Sequence, residues 1–446
     1  MNPTKDSQTI YSFLEKLPRK FRVPSITPEP NTTKILTQWI EQLAQITSQN
    51  PNDDHQSTPE SLPNHPQPPQ PYWNWIPEQI RTNEIPKLTH YLKTTFQVQH
   101  PQQPGHPRTV SVYISSTAPP SHKFLQRIQL AVQLLTHYSP SPCHHSPLHI
   151  YIYLTKARKN IPTRPDQILD ENHANTAFTT SCNLTATSET HEPKYIILFR
   201  EEEVFKVLLH ELFHALGLDF SHDSIATQKT ATFIREHFGI TLPDIRLFET
   251  YCETWATILH CLILAFLKNP HKPINPEKVI QEFFRLFNYE QNFVLFQCAK
   301  ILHYHQLSYQ QFSTTPRTKK GGTRKKTNSR RKKGGTQKNP STPATYQENT
   351  QIFCYYILKS AVFQNLLLFI QQFPPPFSVE ESLQFAKFVQ KCFLHSDFEQ
   401  KLQSYTTLFQ KTGICSNPKP PNTKICHTMR QTATEISISP ETSSSS

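Results

Sequence analysis

The chain has 446 residues, 36% of them hydrophobic, with 39 prolines against 8 glycines; this leaves room for one large core and requires part of the sequence to lie outside it. Its formal charge of +12 suggests a polyanionic partner, but residues 317–338 hold 11 Lys or Arg and no acid, so the rest carries only +1 (12 − 11). A strongly basic folded domain is thereby excluded.

The nine cysteines are scattered without a CxxC pair, which reads as mostly reduced core thiols in an intracellular protein. The N-terminal MNPTKDSQTIYSFLEKLPRKF lacks the apolar stretch of a secretory signal, and no window of about 18 residues is uninterruptedly apolar. The expectation is a soluble protein that is not secreted and makes no membrane contact.

In chain order, residues 1–48 carry two short amphipathic helical patterns, and 49–71 is a Pro/Gln-rich linker that cannot bury enough apolar surface to offset its chain entropy. Strands are expected at Thr109–Ser116, Leu148–Leu154, Thr176–Cys182 and Tyr195–Phe199, with a helix at Lys123–Tyr138. A helix over Glu201–Leu216 opens on three acids and is stopped by Gly217. Further helices are expected at Ser224–His237, Ile245–Leu267, Pro276–Phe287 and Asn292–Tyr304. Strands first and helices after is an α+β order, with one catalytic domain over 72–306. Residues 307–347 form a basic low-complexity insertion containing KKGGT twice. Helical periodicity resumes over 348–412, which should pack on the catalytic domain, and 413–446 reads as a disordered tail.

The chemistry sits in LLHELFHALGLDF. His210 and His214 are four residues apart, so both imidazoles project from one face of a helix, where they can share one tetrahedral zinc. Glu211 stands beside them as the general base for a water acidified by the metal. A catalytic zinc takes three protein ligands, and the third is open to choice. The longer HExxHxxGxxH motif fails because Phe220 occupies its last position, although His222 lies two residues on. LFETYCETWATIL offers Glu249 and Glu253 on one helical face, and a buried acid on an apolar helix needs a partner such as a metal. Tyr251 is a candidate transition-state donor, His260 a core histidine, and the Cys143–His145 cluster a surface feature.

HELFHALG followed by ETWA resembles the gluzincin branch of zinc metallopeptidases over roughly residues 100–270. The resemblance implies a zincin-like fold, Zn2+ as cofactor, a protein or peptide substrate, and Glu253 as the third ligand through the family pattern of Glu, any residue, an aromatic and Ala. The thermolysin-like variant would make Glu249 the ligand and Glu253 its outer partner. It also implies that a strand beside the active-site helix, Thr176–Cys182 or Tyr195–Phe199, pairs with extended substrate. The run from NTAFTTSCN through ETWA is similar to uncharacterised proteins of large nucleocytoplasmic DNA viruses, which implies a viral protein working in the cytoplasm or nucleus of an infected cell, or in a virion. The alternative is a non-enzymatic structural or virion protein stabilised by zinc. Residues 317–338 can contact nucleic acid or another acidic surface without sequence preference, since no aromatic interrupts them to stack on a base.

Overall fold

In the computed structural model, TVSVYISS becomes the centre of a mixed sheet. The structure describes residues 2–49, 60–102, 105–140, 143, 146–164, 167–182, 192–269, 273–313, 346–412, 415 and 423–438. The strands are β1 (Glu60–Ser61), β2 (His90–Val98), β3 (Arg108–Ser116), β4 (Leu148–Tyr153), β5 (Ala177–Thr179) and β6 (Lys194–Leu198), in the spatial order β1-β2-β3-β4-β6-β5. The pairs β3–β4 and β4–β6 are parallel, whereas β2 and β5 run antiparallel to their neighbours.

Alternation assigns the two faces of this sheet. Val110, Val112, Ile114, Ile150, Ile152, Ile196 and Leu198 point into the main core, and Tyr151, Tyr153, Ile197 and Phe199 point the other way, beneath Ile76, Ile80, Ile85 and Leu88. The inner face packs under the helices His122–Thr136 and Val204–Ala215. The β5 edge is the one nearest the HExxH helix.

The α+β architecture agrees with the sequence, and several boundaries differ. β2 does not stand out in the sequence because polar Thr94 interrupts its inward residues Leu92, Phe96 and Val98. Glu60 and Ser61 pair with Lys93 and Leu92, so the described end of the linker is fastened to the sheet. The expected helices Pro276–Phe287 and Asn292–Tyr304 are one helix, Pro276–Tyr304. Leu247–Lys268 is long and apolar enough to cross a bilayer by composition, yet it lies inside the protein with Glu249, Glu253 and His260 buried.

One expectation is overturned, and another holds for most of its residues only. Residues 423–438, placed in a disordered tail, are described and mostly buried, with Met429, Ala433 and Thr432 at 0% exposure. Most of the nine cysteines, Cys252, Cys261, Cys298, Cys354 and Cys392, are free and buried as expected, whereas the other four are paired, Cys143 with Cys182 and Cys415 with Cys426. The pairs are close only in space, with Cα separations of 5.9 and 5.2 Å, so sequence spacing gave no signal. The basic segment 317–338 lies outside the described residues.

Candidate metal centre

The HExxH helix is buried along its whole length, Val204–Ala215. Its acids Glu201, Glu202 and Glu203 precede it rather than forming its first turn, and Glu203 caps it with φ +63°, a left-handed conformation costly for a side chain with a Cβ. Its far end closes as the sequence implied. Gly217 takes φ +67°, which lets the Leu218 N–H return to the Phe213 carbonyl at 2.8 Å.

His210 and His214 meet Glu249 from the neighbouring helix. His210 Nε2 lies 3.0 Å from Glu249 Oε2 and 3.2 Å from His214 Nε2, and His214 Nε2 lies 3.6 Å from Glu249 Oε2. Bonds of about 2.0–2.1 Å at tetrahedral angles give ligand-to-ligand edges of about 3.3 Å, so the triangle has the size that one metal ion demands. Each histidine's other nitrogen faces a carboxylate: His210 Nδ1 lies 3.0 Å from Glu253 Oε1, and His214 Nδ1 is hydrogen-bonded to Asp219. With Nδ1 carrying the proton, both Nε2 lone pairs converge on Glu249, whose buried Oε2 has no hydrogen-bond donor. Three acceptors facing one another need a cation, and the residues fit one.

Without an ion, protons must fill that role. Burial opposes a charge on His210, but Glu249 and Glu253 outweigh it and carry the imidazole up to about 9. Burial likewise opposes the Glu249 carboxylate, and His210 and His214 overcome it to hold that group down at about 2. Burial pushes Glu211 up, with the two histidines opposing.

Glu253, the ligand implied by the aromatic-Ala pattern, is already engaged. Its carboxylate is ion-paired to Lys206 and lies 2.9 Å from Lys359 Nζ, in addition to His210. That carboxylate is shared between two ammonium groups and faces His210, whereas Glu249 is the carboxylate that stands with the two histidines in a group able to hold a metal ion. His222 is not in the cluster, and Phe220 is fully buried against Phe248 and Phe377. A second buried group, His214, Asp219 and Cys252, could also hold a metal ion. Hydrogen bonds already join its members, however: Asp219 accepts from His214, from the Cys252 thiol at 3.0 Å, and from the Ser221 N–H at 2.8 Å. It serves best as the support that fixes His214.

The cluster opens on a cavity of about 1200 Å³ lined by Glu211, Phe178, Thr179, Phe248, Gln351 and Tyr355, among others. Tyr251 does not reach it, being packed among Phe369, Phe377 and Phe385. Among the described residues, the tyrosine in the cavity wall is Tyr355, whose ring centroid is 6.1 Å from that of His210. It comes from the π-helical turn Phe353–Leu358, a distortion often found at functional sites; nothing in the sequence marked it. His260 is a core residue whose Nε2 donates to the Thr434 carbonyl, and burial lowers it to about 4. Cys143, expected in a surface cluster, is instead buried and held in a disulfide, and His144 and His145 lie outside the described residues.

β5 lies along the same cavity. The flanking Thr176 carbonyl and Thr180 N–H bond to the β6 side, so alternation turns the main-chain groups of Ala177 and Thr179 to an edge that no strand among the described residues covers. β6 is paired on both sides, which removes Tyr195–Phe199 as a strand free to pair with substrate. No family model, curated protein or solved structure matches this chain.

Proposed function

We propose that the protein is a zinc-dependent peptidase of zincin-like fold, with His210, His214 and Glu249 as ligands and Glu211 as general base. The observation that carries this reading is the tetrahedral-sized triangle of three lone-pair donors beside a buried glutamate, open to a cavity on one side. Three protein ligands and an open position distinguish catalytic zinc from the closed four-ligand structural kind. A bound zinc ion would polarise a substrate carbonyl and acidify water. Glu211, raised by burial, accepts the water's proton and passes it to the leaving amine. The open β5 edge offers Ala177 and Thr179 to an extended peptide backbone, and the Tyr355 hydroxyl is available to donate to developing negative charge.

The presence of Glu211 beside the cluster weighs against a purely structural zinc protein, because a structural site gains nothing from a base. Metal analysis of purified variants tests the reading. Wild type and Glu211→Gln should hold about one zinc per chain, and His214→Ala and Glu249→Gln should lose it. Glu253→Gln should retain zinc with affinity weakened about 10- to 100-fold. Peptide hydrolysis should vanish in Glu211→Gln. Full zinc in Glu249→Gln would remove it as a ligand, and a folded wild type that takes up no zinc would end the enzyme reading.

A further inference from the structure

The described C-terminal residues 428–438 have little regular structure, yet they run through the interior. Their backbone groups are satisfied by buried charged side chains. The Gln431 and Thr432 N–H groups donate to Glu203, while Ala433 N (2.9 Å) and Thr434 N (2.8 Å) donate to Glu290. Lys300 donates to the Ile425 and Thr428 carbonyls, and Tyr356 donates to the Met429 carbonyl. An irregular segment in a core is tolerated only when its polar groups are paired in this way.

One contact leads to the metal centre. Gln431 Oε1 accepts from Lys206 Nζ at 3.0 Å, and its main-chain carbonyl accepts from Lys359 Nζ at 3.1 Å. These two ammonium groups also grip Glu253, which faces His210 Nδ1. The His210 Nδ1 hydrogen is not well aligned by its own geometry, so the position of the Glu253 carboxylate decides how firmly that imidazole is held. We propose that Gln431 is a positioning residue for the metal centre, acting through Lys206 and Lys359 on Glu253 and thence on His210, so that metal affinity depends on the docked C-terminal strap. This rests on the zinc reading above. The distant residue completes the polar surroundings of a ligand, and the partners behind metal-bound histidines are worth about 10- to 100-fold in affinity.

The test is Zn2+ affinity by competition with a chromophoric chelator, together with the 15N shifts of His210, which report its tautomer without metal. Gln431→Met keeps the volume and removes the acceptor; it should weaken zinc about 10-fold and mix the His210 tautomers. Gln431→Glu restores the acceptor and should restore affinity. Thr432→Val cuts the strap's bond to Glu290 without touching the lysines, so it should lower stability and leave zinc affinity unchanged. Wild-type affinity in folded Gln431→Met, or equal weakening in Thr432→Val, would overturn the proposal while leaving the zinc site standing. A wild type that binds no zinc overturns both. If Gln431→Met does not fold, Gln431→Leu removes the same acceptor with a more compact side chain; failure of both to fold assigns the strap a structural role only.

Discussion

Glu249 and Glu253 lie one helical turn apart on the same face, and both are buried. What separates them is their company: lone pairs surround Glu249, and cations surround Glu253. The sequence exposes the pair and the cost of burying it, but the deciding partner, Lys359, is 106 residues away. His210, Glu211 and His214 were legible because their spacing is itself the geometry. Glu348 offers a separate test at this scale. Burial pushes its carboxyl up to about 8, against the Tyr346 hydroxyl and the Phe353 N–H that donate to it. An unfolded glutamate ionises near about 4.3, so between there and about pH 8 the native state keeps a proton that the unfolded chain has released. Stability contributed at low pH is therefore lost as pH rises through that window. Urea unfolding at pH 5 and pH 8 should show wild type losing on the order of a few kcal/mol relative to Glu348→Gln; parallel pH profiles would remove Glu348 as the cause.

Among the elements, β3, β4, β6 and the helices of the middle region were readable from period 2 and period 3.6. β5 was readable as a strand but not as an edge, since edge status belongs to the sheet and not to the segment. Its role follows from that status. Ala177→Pro removes one outward N–H from an edge position, where proline is tolerated, so the fold should survive. Steady-state peptide hydrolysis should show KM raised several-fold with kcat little changed, as expected when binding shared by ground and transition states is lost. An unchanged KM would mean that substrate does not use this edge. The π-helical turn that delivers Tyr355 has no periodic signature, since one extra residue per turn disturbs the pattern that sequence reading relies on.

Across the whole molecule, one hydrophobic core runs from Ile10 to Ile438, so residues 1–48 and 348–412 are parts of the same interior as the sheet. The strap reads as tail in sequence because it adjoins SISPETSSSS and because a segment satisfied by buried charges is itself polar. That feature also fixes the order of events as the chain is made. Glu290 and Lys300 are each buried and look to residues 425–434 for partners, and Glu203, ion-paired to Lys159, gives its other oxygen to the Gln431 and Thr432 N–H groups; a buried charge left without its partner costs about 3–5 kcal/mol. A chain truncated at 422 should therefore fail to unfold cooperatively on heating and should be cleared by protease, where wild type resists. During synthesis the HExxH helix leaves the ribosome some 220 residues before the strap does, a delay of about 10–40 s at 5–20 residues per second. A core that depends on the strap should stay open in that interval, so any cleavage activity housed here is expected to stay off while the polypeptide is still being made.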